Sequence, residues 1–354
     1  TASLITAPMV QGAVVSMELK TGKVRVLMGG KDFGDSTFNR ATQARRQPGS
    51  AFKPIIYAAA VAKGYRPDSI VLDAPLSRPA GRHGQVWSPQ NYDHSYRGPI
   101  PLSTALALSR NIPAVRLMMA VGVPGTIKMA QTLGITTPIF PNYASALGAS
   151  AVTLMALPRA YSTFPNQGYL VDPIFIERID DRDGRELMVS HTQRQLVIDP
   201  DTAKIMTQLL VGVVERGTGT RVRVLGRPIG GKTGTTNKTR DAWFIGFTPS
   251  LITGSWVGMD DERSLGPKET GSQAAAPIFI SYMREALKGQ PVEDFPALSG
   301  TVLARGERRD VLKDEEASDS DESFYPEEEE EEETPKERTK KPQASSQDFY
   351  KSDL

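Results

Sequence analysis

The sequence lacks cysteine, has three histidines among 354 residues, and contains no apolar run near the ~18 residues of a membrane span. Without cysteine the chain cannot form disulfides or thiolate metal sites, and no other pattern indicates a metal or cofactor, so we predict none. The histidines, at His83, His94 and His191, lie in polar, loop-like sequence. Surface positions are more typical of such residues than a Ser-His-Asp triad. No signal-peptide pattern is visible.

Charge is unevenly distributed, although the formal net charge is +1. Residues 301–354 hold 18 acidic and 9 basic residues, and residues 1–300 hold 23 acidic and 33 basic ones. An unbroken acidic run at Glu327–Glu333 and little apolar sequence predict that 301–354 is a disordered tail. The basic body could favour anionic surfaces. It shows no interleaving of basic and aromatic residues, so we predict no nucleic-acid binding.

Strand patterns lie at the two ends of the remaining sequence and helical patterns lie between them. Alternation and turn signals predict five strands, at Gly12–Leu19, Val24–Met28, Gly230–Thr236, Asp241–Phe247 and Leu251–Met259. The short connections imply antiparallel pairing. This order predicts an α+β fold, in which helices and an all-helical subdomain flank one five-stranded antiparallel sheet.

The middle of the chain is less regular. We predict a long structured loop over Tyr65–Pro101 and a hairpin around Asp183-Gly184. Apolar spacing predicts helices at Leu102–Leu108, Ala114–Val121, Val152–Phe164, Thr202–Glu215 and Ala274–Lys288. Pro158 should kink the third of them.

Ser50 and Lys53 are the first candidates for catalysis. They form the only Ser-x-x-Lys in the chain, at the start of a predicted helix that ends near Gly64. Residues i and i+3 are neighbours on a helix, so the hydroxyl and the amine can meet. Pro48-Gly49 should prevent the helix from extending before Ser50. Ser50 therefore lies at the electropositive start of the helix. The pair predicts a serine nucleophile with a lysine base.

Two further motifs accompany this pair. Ser109-Arg110-Asn111 is the only Ser-x-Asn and lies between two predicted helices. Lys-Thr-Gly occurs twice, at residues 20–22 between two strands and at residues 232–234 at the start of a later strand. We interpret the first copy as a hairpin turn and the second as part of a cleft.

Ser-x-x-Lys, Ser-x-Asn and Lys-Thr-Gly, in this order, form the set found in penicillin-binding proteins and class A β-lactamases. The sequence resembles the transpeptidase domain of class A penicillin-binding proteins over about residues 12 to 290. Beyond the short motifs, the resemblance rests on Phe38–Ala44, Asn91-Tyr92-Asp93, Gly231–Thr236 and Arg240–Trp243. It implies the serine DD-peptidase fold, with a transpeptidase domain over residues 12–300.

The resemblance also implies roles for individual residues. Ser50 would attack the carbonyl between two D-alanines of a peptidoglycan stem peptide, and Lys53 would take its proton. Ser109, Asn111 and Lys232 would complete the catalytic group. The backbone N–H groups of Ser50 and Thr235 would form the oxyanion hole. Substrate-binding residues are expected at Thr233, Gly234 and Thr235.

The expected partners are donor and acceptor stem peptides and β-lactam antibiotics, at the outer face of a bacterial cytoplasmic membrane. Family members carry a membrane anchor and a glycosyltransferase domain before this region, so we read residues 1–11 as a linker from a missing N-terminal region. A hydrolytic carboxypeptidase, a β-lactamase and a non-catalytic β-lactam sensor share the three motifs and remain alternatives. The Glu-x-x-Leu-Asn sequence typical of class A β-lactamases is missing between Asn111 and Lys232.

Overall fold

The alternating segments at both ends of the sequence form one sheet in the computed structural model, which describes residues 9–79, 86–297 and 310–311. The strands are β1 (Val10–Glu18), β2 (Val24–Met28), β3 (Ile70–Asp73), β4 (Arg78–Pro79), β5 (Val86–Trp87), β6 (Gly98–Pro101), β7 (Tyr169–Val171), β8 (Arg178–Asp180), β9 (Glu186–Val189), β10 (Arg194–Leu196), β11 (Gly230–Thr235), β12 (Asp241–Phe247) and β13 (Leu251–Met259).

The α-helices are α1 (Lys53–Ala62), α2 (Leu102–Ala107), α3 (Asn111–Val121), α4 (Val123–Thr132), α5 (Ala156–Ser162), α6 (Pro200–Arg216) and α7 (Ala276–Ala286). Shorter helical turns of the 3-10 type cover Gly49–Phe52, Tyr143–Leu147, Thr220–Leu225 and Asn237–Thr239, and a π-helical turn covers Gly271–Ala275.

The main sheet has the strand order β11-β12-β13-β1-β2 and is antiparallel throughout. Its centre joins the two ends of the chain, because β1 pairs with β13 from Val10 opposite Met259 to Glu18 opposite Leu251. The predicted α+β fold with a five-stranded antiparallel sheet is therefore confirmed. β11 lies at one edge of the sheet and packs against α6 and the 3-10 turn Gly49–Phe52 of the helical half.

Both faces of the sheet are covered, as the two-residue period of a strand allows. Trp243 and Ile245 of β12 face the larger core, which contains α1, α3 and α6. Phe244, between them, faces α7 and packs edge-on against Phe279 at 4.8 Å between ring centroids.

Helix α1 lies at the centre of the larger core. Every residue from Lys53 to Val61 is buried, and the helix packs against α3, α4 and α6. A helix that is apolar on all sides must be enclosed, and this enclosure also takes the Lys53 side chain out of water. Pro54, at the second position of the helix, has no intrahelical hydrogen bond to lose.

The helical half of the molecule also contains short strands that the sequence analysis missed. β3 pairs with β6 and β4 with β5, all within the segment that we interpreted as a long loop. Helix α4 was also missed, because Pro124 and Gly125 at its start resemble a turn. The hairpin predicted around Asp183-Gly184 is present as β8 and β9.

The helix predicted at Val152–Phe164 was too long. Helix α5 begins at Ala156, so Pro158 is its third residue rather than an interior one. A proline in the first turn replaces an N–H that has no intrahelical partner. The expected kink at Pro158 was therefore wrong.

Two residues beyond position 300 contact the body of the molecule. Val311 is fully buried in the larger core, and the Asp310 carboxylate accepts a hydrogen bond from the Ile70 backbone N–H at 2.9 Å. The rest of the tail predicted at 301–354 and most of the linker predicted at 1–11 lie outside the described residues. We propose that the domain extends at least to Val311.

Within the described ranges, no single helix has the length and apolar composition needed to cross a membrane. α3 and α4 meet that test only as a pair, and they are bent by 95° relative to each other.

Candidate active site

Ser50 lies in a tight 3-10 turn, Gly49–Phe52, that leads directly into α1. Gly49 has φ of +54°, and a Cβ atom there would come within 2.4 Å of the Thr235 carbonyl oxygen. A Cβ atom on Gly234 would lie 2.5 Å from the Pro48 carbonyl oxygen. Only glycine allows this close approach, because it lacks a side chain and tolerates positive φ. The two glycines therefore let the turn that carries Ser50 pack against the edge strand β11.

Lys53 lies one helical turn after Ser50 and is fully buried. Its Nζ donates to the carbonyl oxygen of Ser109 at 2.6 Å, the carbonyl oxygen of Arg110 at 3.1 Å and the Oδ1 atom of Asn111 at 2.6 Å. The Ser109 hydroxyl is 3.5 Å away. The Ser-x-x-Lys and Ser-x-Asn motifs thus meet at one amine.

Lys232 reaches the same place from β11 and is also fully buried. Its Nζ donates to the Ser109 hydroxyl at 2.7 Å and to the Thr233 carbonyl at 3.0 Å. Ser109 therefore stands between two lysine amines, one from the helical half and one from the sheet.

Burial controls the charge of both amines. It lowers the pKa of Lys232 to about 7, because a charged amine loses its hydration in the interior. The pKa of Lys53 falls well below its usual value, first through burial and then through the positive charges of Lys232 and Arg110, while Asp73 opposes the shift. A free lysine with pKa ~10.4 is charged at neutral pH, so these surroundings favour a neutral amine.

A cleft of about 920 Å³ runs above this cluster, between the edge of the sheet and the helical half. Five of the predicted site residues line it, namely Ser50, Ser109, Asn111, Thr233 and Thr235. Lys53 and Lys232 lie beneath its surface, and Gly234 packs against Pro48. The Lys53 backbone N–H donates to the Ser50 carbonyl. Among the side-chain hydrogen bonds of the described residues, none joins the Ser50 hydroxyl to the Lys53 amine, so the pair predicted from i, i+3 spacing is adjacent but not directly bonded through its side chains.

Several residues of the site had no motif to reveal them. The Thr218 and Thr233 hydroxyls are 2.7 Å apart, and the Asn111 Nδ2 atom donates to the Gln90 carbonyl at 2.8 Å. The Thr235 hydroxyl accepts a hydrogen bond from the Gly271 N–H at 3.0 Å. The Gly-Thr-Gly-Thr sequence at residues 217–220 could have pointed to Thr218, but it reads as an ordinary loop.

Asp93 is the single carboxylic acid among the described residues that line the cleft. Hydrogen bonds from Ser95 and the Arg110 guanidinium hold the pKa of Asp93 well below its usual range. The acidic residues between Asn111 and Lys232, such as Glu177 and Glu186, do not line the cleft. No group of three or more acidic or histidine side chains suited to a metal occurs in the described ranges.

A serine at a helix start, two buried lysines and a sheet edge beside one cleft match the arrangement that the sequence resemblance predicts for acyl transfer. The sequence matches the family described as "Penicillin binding protein transpeptidase domain" over residues 12–284. The chain belongs to this family.

Among curated proteins, it is similar to penicillin-binding protein 1A of Neisseria lactamica, at 41% identity over 86% of this chain and 39% of the relative. Penicillin-binding protein 1A of Pseudomonas aeruginosa is 36% identical over 86% of this chain and 43% of its own length. The chain therefore spans about two fifths of the length of these relatives.

Solved structures agree with this assignment. Penicillin-binding protein 1A from Haemophilus influenzae superimposes with a TM-score of 0.79 at 32% identity, covering 82% of this chain and 50% of the other. The PonA1 protein from Mycobacterium tuberculosis, solved in complex with penicillin V, gives a TM-score of 0.73 at 26% identity and covers 83% and 82%. The resemblance stated from the sequence is thus confirmed at the level of family and fold.

Proposed function

We propose that this chain is the penicillin-sensitive transpeptidase part of a peptidoglycan-synthesising enzyme, with Ser50 as nucleophile. The observation that carries the proposal is the pair of buried amines, Lys53 and Lys232, that share the Ser109 hydroxyl beside the cleft lined by Ser50. This arrangement supplies an activated nucleophile and a proton path in one place. Membership of the family and the penicillin complex of a similar protein support it.

In the first step, the Ser50 oxygen attacks the carbonyl carbon between the two D-alanines of a donor stem peptide. Lys53 takes the hydroxyl proton, which requires a neutral amine, and its lowered pKa favours that form. In the neutral form the amine donates to two of the three oxygen atoms within 3.1 Å, and its lone pair is available to accept the proton.

The developing oxyanion would accept hydrogen bonds from the backbone N–H groups of Ser50 and Thr235. The close packing of Gly49 on the Thr235 backbone supports this pairing, since it brings the two segments together. One such donor is typically worth ~3 kcal/mol of transition-state stabilisation. The Thr233 and Thr235 hydroxyls, with Lys232, would hold the terminal carboxylate.

The tetrahedral intermediate then collapses. The C–N bond to the terminal D-alanine breaks, Ser109 passes its proton to the leaving nitrogen and regains one from Lys53, and an ester is left on Ser50. Asn111, already bonded to Lys53, would orient the amine and the substrate amide. An amine of a second stem peptide attacks the ester, Ser50 regains its proton, and the new amide is the cross-link. Such substrates place the reaction at the outer face of the cytoplasmic membrane.

With penicillin, the same attack opens the β-lactam ring and leaves a penicilloyl ester on Ser50. Hydrolysis of that ester needs a base to activate water. Asp93, ion-paired with Arg110 and with its pKa held low, is a poor one. We therefore expect the ester to last for many minutes to hours, which favours the transpeptidase over the β-lactamase.

The nucleophile can be tested by mass spectrometry. Penicillin should add its full mass to one peptide containing Ser50, and Ser50→Ala should abolish the adduct because it removes the proposed nucleophile. Ser272→Ala, which changes another serine of the same cleft, is the matched control and should label normally. Persistent labelling of Ser50→Ala would reject the assignment.

Turnover separates the alternatives. A D-alanyl-D-alanine peptide supplied with an amine acceptor should give the cross-linked amide with a transpeptidase and only the shortened peptide with a carboxypeptidase. A sensor would give neither. Rapid release of penicilloate in a pulse-chase experiment, turnover after turnover, would instead establish a β-lactamase.

A further inference from the structure

A buried polar cluster lies beneath the Ser109–Asn111 turn, on the side away from Lys232. Asp73, the last residue of β3, is fully buried, and Arg110 is 5% exposed. The Arg110 Nε atom donates to Asp73 at 2.8 Å, and its Nη1 atom donates to both Asp93 oxygens at 2.8 and 2.9 Å. The guanidinium therefore joins a buried carboxylate on one side to a cleft carboxylate on the other.

Asn91 connects the same carboxylate to helix α3. Its Nδ2 atom donates to Asp73 at 2.6 Å, and its Oδ1 atom accepts from the Asn111 N–H at 2.8 Å and the Ile112 N–H at 3.3 Å. Arg110, the residue before α3, provides no side-chain cap. The amide of Asn91 thus caps the helix from another segment of the chain and fixes where α3 begins.

The turn above this cluster is held in an unfavourable shape. Ser109 has φ of +55°, a left-handed conformation that costs energy for any residue except glycine. This conformation aims the Ser109 hydroxyl at Lys232 and its carbonyl at Lys53. Other interactions must offset the strain at Ser109. The two residues that follow it, Arg110 and Asn111, are held by hydrogen bonds to Asp73 and Asn91.

We propose that Asp73 is a positioning residue for acyl transfer, acting through Arg110 and Asn91 to hold Ser109 and Asn111 at the two lysines. The proposal rests on the proposed function. Asp73 lies beneath the turn and does not line the cleft, so its effect on the reaction would be indirect.

The cluster also gives a signature that a merely structural role would lack. The charged groups that act on Lys53 are Lys232 from β11, Arg110 from the turn and Asp73 from β3, and the buried Tyr57 on α1 stays neutral because burial raises its pKa. The negative charge of Asp73 raises the pKa of Lys53, and the positive charge of Arg110 lowers it. Removing them should shift that pKa in opposite directions.

The test is the rate constant for acylation by a chromogenic β-lactam, measured across pH with intact protein. Acylation rises with pH as Lys53 loses its proton. For Asp73→Asn the rise should move to lower pH, and for Arg110→Gln to higher pH. Both should lower the maximal rate about 10- to 100-fold, since a small misplacement of catalytic groups can cost that much. The double variant should restore the midpoint of the rise but not the rate.

Arg159→Gln and Asp172→Asn are the matched controls, because they break an ion pair of 2.6 Å on the surface. They should change neither the rate nor the midpoint. If Asp73→Asn does not fold, Arg110→Lys carries the test: it keeps the charge but loses the forked contact, so the rate should fall with an unshifted midpoint.

Shifts in the same direction for the two single variants, or a folded Arg110→Lys that acylates at the normal rate, would overturn the positioning role. Failure of the unmodified protein to acylate at Ser50 would instead reject the proposed function, so the two failures are distinguishable.

Discussion

The tripeptide Lys-Thr-Gly occurs twice in the part of the chain that forms the main sheet, and the lysines of the two copies lie in opposite environments. Lys20-Thr21-Gly22 forms the turn between β1 and β2, where Lys20 is exposed and the Thr21 hydroxyl donates to Glu18. Lys232-Thr233-Gly234 lies within β11 at the other edge, where Lys232 is fully buried and bonded to Ser109. Position in the fold, rather than the motif, makes a lysine a candidate for catalysis.

The largest difference between the copies should appear in acylation. Lys232→Ala removes the donor to Ser109 and the proposed partner of the substrate carboxylate, so we expect the acylation rate constant to fall about 10²- to 10³-fold. Lys20→Ala should leave it within about twofold, because the hairpin turn does not line the cleft. The rate of labelling with a fluorescent penicillin measures the effect of each variant. Equal losses in the two variants would contradict the prediction that only the second copy takes part in acylation.

Stability should change in the opposite sense to activity. The pKa of Lys232 is lowered from its ordinary value to about 7 in the folded state, so the unfolded chain binds more protons between these values and stability rises with pH there. Lys232→Met removes this cost, at about 1.4 kcal/mol per unit of pKa shift as an upper bound.

The variant should therefore melt at a higher temperature at pH 7, with an advantage that shrinks as the pH approaches 10. Lys20→Met should show no such pH-dependent gain. Melting curves at several pH values test this, and a Lys232→Met protein less stable than the parent at pH 7 would contradict it.

The glycines of the two copies should differ least. A Cβ atom on Gly22 would come within 2.1 Å of the Asp172 carbonyl at φ of +78°, and one on Gly234 within 2.5 Å of the Pro48 carbonyl. Each change to alanine should cost about 1–3 kcal/mol of stability through overpacking. Only Gly234→Ala should also slow acylation, because it pushes β11 away from the turn that carries Ser50. Denaturant unfolding and acylation rates on the same samples would reveal whether Gly22→Ala behaves differently.

Strands near the beginning and the end of the domain sequence were predicted better than the elements between them. β2, β12 and β13 have the predicted bounds, because alternation and tight turns are local signals. β3 and β6 are four residues each and pair across 24 intervening residues, and β6 contains two prolines. Their pairing depends on the packed structure, so it could not be predicted from a local sequence pattern.

The same division holds for the site. Ser50, Lys53, Ser109 and Lys232 belong to motifs with fixed spacing, and the structure brings three of them into one hydrogen-bonded cluster. In the sequence, Asp73 resembles any aspartate before a turn. Its proposed role can be inferred only from the folded structure, in which Arg110 donates a hydrogen bond to it. Groups that support a site are harder to predict than the site itself, because their partners are distant in sequence.

The central pairing of β1 with β13 has a consequence for how the protein is made. β1 is made well before β13, the strand that covers it, which begins only at Leu251. At a synthesis rate of ~5–20 residues per second, the apolar side chains and unpaired backbone of β1 stay exposed for on the order of 10 to 50 s before β13 is made. Unpaired strands of this kind associate readily with other chains. The newly made chain is therefore exposed to aggregation until β13 emerges, and a chaperone that binds extended segments would protect it most at β1.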